Sequence, residues 1–538
     1  MPVTATEPAT SVVGAVRTPA PRRDVASLPA RLVPAMPSSG WRGWIGPIVV
    51  MIIGGILRLV ELGRPHAIIF DETYYPKDAL GLLRFGYERK LVEGADEILL
   101  SGANTDWRTI DVFTTDPTYV VHPPLGKWTI AVGEYLFGVT PFGWRFAVAV
   151  LGTLSILMVA RITRRLTRSD LVGTVAGLLL AVEGMHLVMS RAALLDMVLM
   201  FWVLAAFGLL LIDRDHARGR LARLVEVDGL ASMASRWGPR LGLRPWRWAA
   251  AAALGLAVSV KWSGLWFVAF FMVMAVVWDV SARRAVGVGW PWRATLLRDA
   301  LPAMLVTLPI IVAVYLASWS GWFLTDGGYA RDWAADHPPS LVPEALRSLW
   351  HYHAEAWRFH VGLSSDHPYS SNALSWFLQA RPTSFYYESY ENGVMGCTVD
   401  KCSSAVTALG NPLLWWFGIV ALIHQAWRWI GRRDWRSGAV LVGIAAGWVP
   451  WLIYLDRTIF TFYVVVFVPF VVMAVAMTLG TMLGPSDAPV ERRRNGAIAA
   501  TAVVLLIVAV GWWFYPVWTG EVISYDAWRF RMWFSSWV

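Results

Sequence analysis

Apolar residues in this chain come in long blocks separated by polar stretches, without strict alternation. Eleven blocks approach the roughly 20 residues needed to cross a bilayer. They are residues 44–60, 143–161, 171–188, 194–212, 247–260, 262–280, 300–320, 411–429, 437–455, 459–483 and 495–515. Blocks without a period of two predict helices, not a membrane barrel. Two of the polar stretches are long, 61–142 and 321–410, while the others are mostly short apart from 213–246. Loops beyond about 15 residues usually carry function. The pattern therefore predicts an all-α polytopic membrane protein with about 11 transmembrane helices. Its order would be a disordered tail (1–43), a first span (44–60), a long loop (61–142), spans two to seven (143–320), a second long loop (321–410), spans eight to eleven (411–515) and an aromatic C-terminal segment (516–538).

Composition agrees. Of 538 residues, 56% are hydrophobic and 16% charged, against roughly 25% charged in ordinary soluble domains. That charge cannot cover the surfaces of a soluble enzyme of this length, and the apolar content excludes a disordered chain. A net charge of +9 would also suit nucleic acid, but the arginines cluster in alternate loops. Arg161 to Arg168, Arg214 to Arg244, Arg283 to Arg298, Arg428 to Arg436 and Arg492 to Arg494 follow every second span. The positive-inside rule assigns these loops and the N-terminus to the cytoplasm, and both long loops and the C-terminus to the outside. Residues 1–40 contain no continuous apolar core of a cleavable signal, so the first span reads as an uncleaved anchor. Cys397 and Cys402, the only cysteines, fall in an outer loop. A short-loop disulfide suits that oxidising side.

The long loops hold the candidate chemistry. Asp71 and Glu72 lie just past the first span, where an acidic pair suits a general base meeting a lipid-borne substrate. An Asp cap with Glu in a first helical turn would look the same. Val-His-Pro-Pro-Leu-Gly-Lys-Trp at 121–128 contains His122, which would orient the acidic pair or bind phosphate, and Lys127 one turn later. Residues 128–137 read as an interfacial amphipathic helix. Arg145, Arg191, Asp196, Lys261 and Arg457 fall at the ends of spans. Charges at that depth are costly and point to function, unless they snorkel to the interface. Arginines and lysines gathered on one face would clamp a phosphate. Arg191 and Asp196 would equally make a structural pair. In the second loop, His367, Tyr369, Trp376 and Arg381 form an aromatic and polar run that suits a substrate cleft or an interface belt. The spacing of His351, His353, His360 and His367 matches no compact metal site. No phosphate-binding glycine loop or dinucleotide fingerprint is present.

Taken in order, Phe70-Asp71-Glu72, His122-Pro123-Pro124-Leu125-Gly126-Lys127, Trp144-Arg145-Phe146, Arg191 to Asp196, Lys261-Trp262, His367-Pro368-Tyr369 with Ser375-Trp376, and Arg457 ahead of Tyr463 resemble the protein O-mannosyltransferase family, particularly its actinobacterial members. The resemblance implies a GT-C glycosyltransferase with eleven spans and an outward-facing site. It implies polyprenyl-phosphate mannose as donor and a Ser or Thr hydroxyl of an exported protein as acceptor, with inversion at the sugar. Asp71 would be the base, Glu72 would position donor or acceptor, and Arg145 would sit near the donor. Lys261 and Arg457 would hold the lipid phosphate on grounds of charge and position. A single phosphate served by Arg and Lys needs no divalent metal, so no cofactor is expected. The protein-export channel is an expected neighbour, and nucleic acid is not. The second loop is too short for the large β-rich insert of eukaryotic members.

Another GT-C enzyme, moving arabinose or aminoarabinose onto a glycan or glycolipid, would share the Asp71 region and the cations, but not the His-Pro-Pro-Leu-Gly-Lys and His-Pro-Tyr motifs. An oligosaccharyltransferase would carry a Trp-Trp-Asp motif that is absent. A secondary transporter would show internal repeats and paired midplane charges.

Overall fold

The structure is a computed structural model that describes residues 28–485 and 487–538. Each of the eleven apolar blocks falls on a helix or a short run of helices. Among the described residues, seven helices are long and apolar enough to cross a membrane: Arg42–Leu59, Pro141–Thr167, Leu195–Asp228, Gly264–Ala285, Pro291–Ser318, Trp435–Ile453 and Val490–Thr519. Asp170–Ala181 and Gly184–Ser190 pass the same test only as a pair and meet at 63°, as a broken span or a re-entrant turn. The other blocks give shorter or more polar helices. Pro245–Val258 has 14 residues, Val468–Met482 has 15, and Pro412–Arg432 carries Trp, His, Gln and Arg among its apolar positions. The protein is a multi-pass membrane protein, and its helix set is less uniform than eleven equal spans.

The spans differ in burial. Leu195–Asp228 is 67% buried and lies at the centre, whereas Pro291–Ser318 is only 11% buried and lies at the rim. A central helix apolar all round fits that position. One continuous apolar cluster runs from the first helix to the C-terminal residues.

The bend between this pair is held by two buried charges. The helix Asp170–Ala181 ends with unsatisfied carbonyls, and Arg58 donates to those of Leu180 and Ala181 at 3.2 and 3.1 Å. Glu183 accepts from the amides of Met185 and His186 at 3.2 and 2.6 Å, capping the next helix. The break is thus a built joint.

The expected tail is ordered in its described part. Residues 1–27 lie outside the described residues. Leu28–Leu32 forms a helix, and Leu32 buries beside Leu221, Met233 and Leu241.

The long loops are not purely helical. In the first, β1 (Arg89–Leu91) pairs antiparallel with β2 (Phe113–Pro117). In the second, β3 (Thr383–Glu391) and β4 (Lys401–Ala408) form a hairpin, and β5 (Val522–Ser524) joins from the C-terminal segment, giving the order β3-β4-β5. Thr, Tyr, Phe and Val in the hairpin suit a pleated half-buried surface. Cys397 and Cys402 are disulfide-bonded at its tip. The helices Leu125–Phe137 and Glu344–Gly362 complete the loop layer.

Candidate active site

The chain leaving the first helix is pinned before it reaches the site. Arg191 donates to the carbonyls of Arg58 (2.9 Å), Val60 (2.8 Å) and Glu61 (2.8 Å), so it caps that helix. Arg145 donates to the carbonyls of Pro65 (3.0 Å) and Ala67 (2.8 Å) and makes a two-point contact with Glu72 at 2.7 and 2.8 Å. Glu72 also accepts from the amides of Ile69 (3.1 Å) and Ala193 (3.0 Å). Arg145 and Glu72 are fully buried. Their donors and acceptors are spent on each other and on backbone. The expected roles of Glu72 in positioning substrate and of Arg145 near the donor phosphate therefore do not fit this geometry: both face away from the open volume and fix the turn Phe70–Thr73.

That turn aims Asp71 the other way. Phe70 has a φ of +47°, a left-handed conformation that costs a bulky residue about 1–3 kcal/mol. Four aromatic rings hold it: Phe385 stacks on it at 4.8 Å, and Phe460, Phe462 and His367 meet it edge-on. The β3–β4 ladder slips between Ser384 and Tyr386, and such an irregularity re-aims the side chain inside it, here Phe385.

Asp71 opens into a cavity of about 1840 Å³. Burial pushes its carboxyl up to about 6, opposed by the Lys261 ammonium, reinforced by Asp196 and opposed again by the Tyr75 hydroxyl. Asp196 and Lys261 pair at 2.7 Å on the same wall. Arg191 is thus not the partner of Asp196. Arg457 lines the cavity with its Nε unbonded and one Nη 3.4 Å from His360 Nδ1. His122 stacks on His360 at 5.2 Å, and its Nδ1 has no partner. Burial and the surrounding cations hold both imidazoles down, His360 to about 4, so they are neutral near pH 7. His122 therefore offers hydrogen bonds, not charge. Lys127 reaches the cavity edge but is buried and paired with Glu88. Beside it burial pushes Asp78 up to about 7, against the pull of Lys127.

The cavity has two characters. Near Asp71 it is polar. Away from it, Val258, Leu265, Trp266, Ala269, Ile311 and Val312 make an apolar flank on the helices Pro245–Val258, Gly264–Ala285 and Leu301–Ser318. A smaller polar cleft of about 400 Å³ adjoins through Arg457.

Comparison with known proteins decides the family. Residues 105–225 match the family described as dolichyl-phosphate-mannose-protein mannosyltransferase, and residues 345–537 match the C-terminal four TMM region of protein-O-mannosyltransferase. A polyprenol-phosphate-mannose–protein mannosyltransferase of Mycolicibacterium smegmatis is 40% identical over 92% of this chain and 93% of its own. One of Mycobacterium tuberculosis is 38% identical over 99% of this chain and 100% of its own. The chain belongs to the protein O-mannosyltransferase family. The fold agrees: the S. cerevisiae protein O-mannosyltransferase Pmt1-Pmt2 complex bound to the sugar donor matches with a TM-score of 0.69 over 95% of this chain and 94% of that one, at 14% identity.

In this mannosyltransferase-family chain the second-loop candidates lie around the site without entering the main cavity. His367 lines the smaller cleft, packs against Phe460 and Phe70, and accepts from the Tyr369 amide at 3.1 Å. Tyr369 lies under Arg381. Trp376 is buried and donates to Ser371 at 3.0 Å. Arg381 donates to the carbonyls of Pro368 (2.8 Å) and Ser536 (2.6 Å), fastening the C-terminal segment to the second loop. The sequence offers these residues as structural or substrate-positioning groups; His367 packs on Phe70, and the others hold the second loop together behind it.

Sequence reading missed Tyr75 and Asp78, which follow Asp71 at four and seven residues and share its cavity. Helical spacing was their available signal. It also missed Tyr315, and with it the link from Trp262 to His353 by hydrogen bonds of 3.0 and 2.6 Å. They come from different elements, and no local pattern joins them. Among the described residues no group of three or more His, Cys, Asp or Glu is placed to share a metal ion.

Proposed function

We propose that this protein transfers mannose from polyprenyl-phosphate mannose to Ser or Thr hydroxyls of exported proteins, with inversion, at the outer face of the membrane. One observation carries the reading: Asp71, a carboxyl raised to about 6 beside Lys261, shares with Lys261 and Arg457 a cavity that is polar at one end and apolar along its flank. Family membership supplies the donor and acceptor class.

Asp71 as carboxylate takes the hydroxyl proton while the acceptor oxygen attacks the anomeric carbon. The bond from that carbon to the phosphate oxygen breaks on the opposite face, so the sugar inverts. Polyprenyl phosphate leaves as a monoester and gains negative charge. Lys261 and Arg457 stabilise that charge, which is the kind of preorganised electrostatics that lowers such barriers. Lys261 keeps donors free beyond its bond to Asp196, since an ammonium has three. The apolar flank takes the lipid chain, and the neutral His122–His360 stack offers hydrogen bonds beside the cations. A base pKa near 6 suits work near neutral pH. The cations do the work a metal would do at a diphosphate, so the reaction needs none. Exported chains would reach the site unfolded, beside the export channel, with the N-terminus in the cytoplasm and the C-terminal segment outside.

The test uses membranes containing the full-length protein, a Thr/Ser/Pro/Ala-rich peptide and labelled polyprenyl-phosphate mannose. The reading expects label in the peptide, its loss in Asp71→Asn at equal protein level, and its retention in EDTA. An intact donor with no label in the peptide from folded wild type would overturn the acceptor class. Labelling by Asp71→Asn at the wild-type rate would overturn the base.

A further inference from the structure

The cavity that holds Asp71 is bordered on one side by the helix Glu344–Gly362, through Trp350, Trp357, Arg358 and Val361. One face of this helix is fastened. Leu349, Tyr352 and Ala356 are buried, the Tyr352 hydroxyl donates to the Val120 carbonyl at 2.8 Å, and the Tyr315 hydroxyl of the rim span bonds His353 Nε2 at 2.6 Å. The face beside it is bare. Trp350, Trp357 and Val361 are 77%, 58% and 62% exposed, although all three line the cavity. Helical spacing gathers them into one stripe. Opposite, Leu265 and Val312 also line the cavity and are exposed. Val312 belongs to the rim span Pro291–Ser318, and an apolar span so little buried meets lipid. The cavity thus opens sideways toward the bilayer, between that span and the helix Glu344–Gly362.

Arg358 stands beside the stripe. It is exposed, lines the cavity and has no ion-pair or hydrogen-bond partner among the described residues. Two other cations on the cavity are engaged, Arg89 with the Tyr87 hydroxyl at 2.6 Å and Lys90 with Asp116 at 3.5 Å. Tryptophan next to arginine suits the boundary between hydrocarbon and headgroups. A planar guanidinium at that depth pairs well with a phosphate. We infer that this mouth is the entry port for the lipid donor: Trp350, Trp357 and Val361 receive the polyprenyl chain, and Arg358 receives its phosphate before Lys261 and Arg457 do. This rests on the mannosyltransferase reading above and adds how the donor passes from the bilayer to Asp71. The occupant follows from continuity and charge. The stripe leads into the apolar flank at Leu265 and Val312, and Arg358 supplies positive charge beside it. An acceptor peptide brings neither a long apolar chain nor a phosphate.

Two measurements on the full-length enzyme test this. The first compares long-chain polyprenyl-phosphate mannose with geranyl-phosphate mannose as donors in detergent, with acceptor peptide at saturation. In Trp350→Ala/Trp357→Ala, KM for the long donor should rise about five- to tenfold, while KM for the short donor hardly moves. In Arg358→Gln, KM for both donors should rise about tenfold, since both carry the phosphate, and Arg358→Lys should recover part of the loss. The kcat and the acceptor KM should hold in all three. Equal rises for both donors in the tryptophan variant, as from a helix that only rests in the interface, would overturn the port. So would an unchanged donor KM in Arg358→Gln. Wild type that transfers mannose from neither donor would sink the mannosyltransferase reading instead. The second measurement needs no variant. Wild type in nanodiscs is irradiated with a donor analogue that carries a diazirine in its first isoprene units. Adducts should map to 350–361 and fade with excess unlabelled polyprenyl phosphate. Adducts confined to other segments, or adducts that the competitor does not reduce, would overturn the proposal.

Discussion

Asp71 and Glu72 are neighbours in sequence and opposites in environment. Glu72 is closed: two contacts from Arg145 and two backbone amides satisfy it, with no exposure. Asp71 is open: it lines a large cavity and faces Lys261, Asp196 and Tyr75. The same contrast separates the cations. Arg58, Arg145 and Arg191 spend their donors on helix ends and turns. Lys261 and Arg457 reach the cavity with donor capacity left. Charge at membrane depth thus does two jobs here. Where every donor meets an acceptor it fixes backbone, and where some are left unmet it can meet a substrate.

The comparison breaks if the two carboxylates respond alike to neutral replacement. Asp71→Asn should cut the mannosyl-transfer rate by two to four orders of magnitude, with protein level and thermal unfolding near wild type. Arg145→Ala should act on the fold instead. It leaves the Glu72 charge buried without its partner, a change that costs about 3–5 kcal/mol. Expression and melting temperature in detergent should fall, and the protein that survives should bind donor with an unchanged KM. A raised donor KM in a stable Arg145→Ala protein would return Arg145 to the substrate and dissolve the contrast. A smaller effect is expected from Phe385→Ala, which removes the ring stacked on Phe70. Asp71 would keep its chemistry and lose its aim, so kcat should fall about ten- to a hundredfold with the acid limb of the pH profile in place.

The sequence made the helical architecture legible because blocks of apolar residues must bury or face lipid. It made the joint at 182–183 illegible, because that block reads as one span until Arg58 and Glu183 are seen to share its broken ends. The hairpin β3–β4 was hidden for a different reason. Aromatic and hydroxyl residues in an outer loop fit an interface belt as well as a strand, and only pairing decides. Of the site, Asp71, Lys261, Asp196, His122 and Arg457 do meet at one cavity, as charge at span ends suggested. Glu72, Arg145 and Arg191 carry the same signal and are spent on structure. Residue type and position state that a charge is costly, and they do not state whether its partners are protein or substrate.

The finest distinction within the open region is electrostatic, and pH reads it. As the base proposed above, Asp71 would work only when ionised, and burial pushes its carboxyl up to about 6. The rate at low donor and acceptor should therefore be level above about pH 7 and fall about tenfold per unit below pH 6. Lys261 holds the Asp71 carboxyl down and Asp196 pushes it up. Their removal should move the acid limb in opposite directions. Lys261→Met takes away the stabilising cation, so ionisation needs higher pH and the limb shifts up. Asp196→Asn takes away a like charge and frees Lys261 for Asp71, so the limb shifts down, each by up to about one unit. Both variants should also lower the rate at the plateau, Lys261→Met more, because it removes one of the two cations proposed to stabilise the leaving phosphate. The signs of the two shifts do not depend on those plateaus. Shifts of the same sign, or none, would mean that a group other than Asp71 titrates in the profile, and the open carboxylate would lose its claim to be the base.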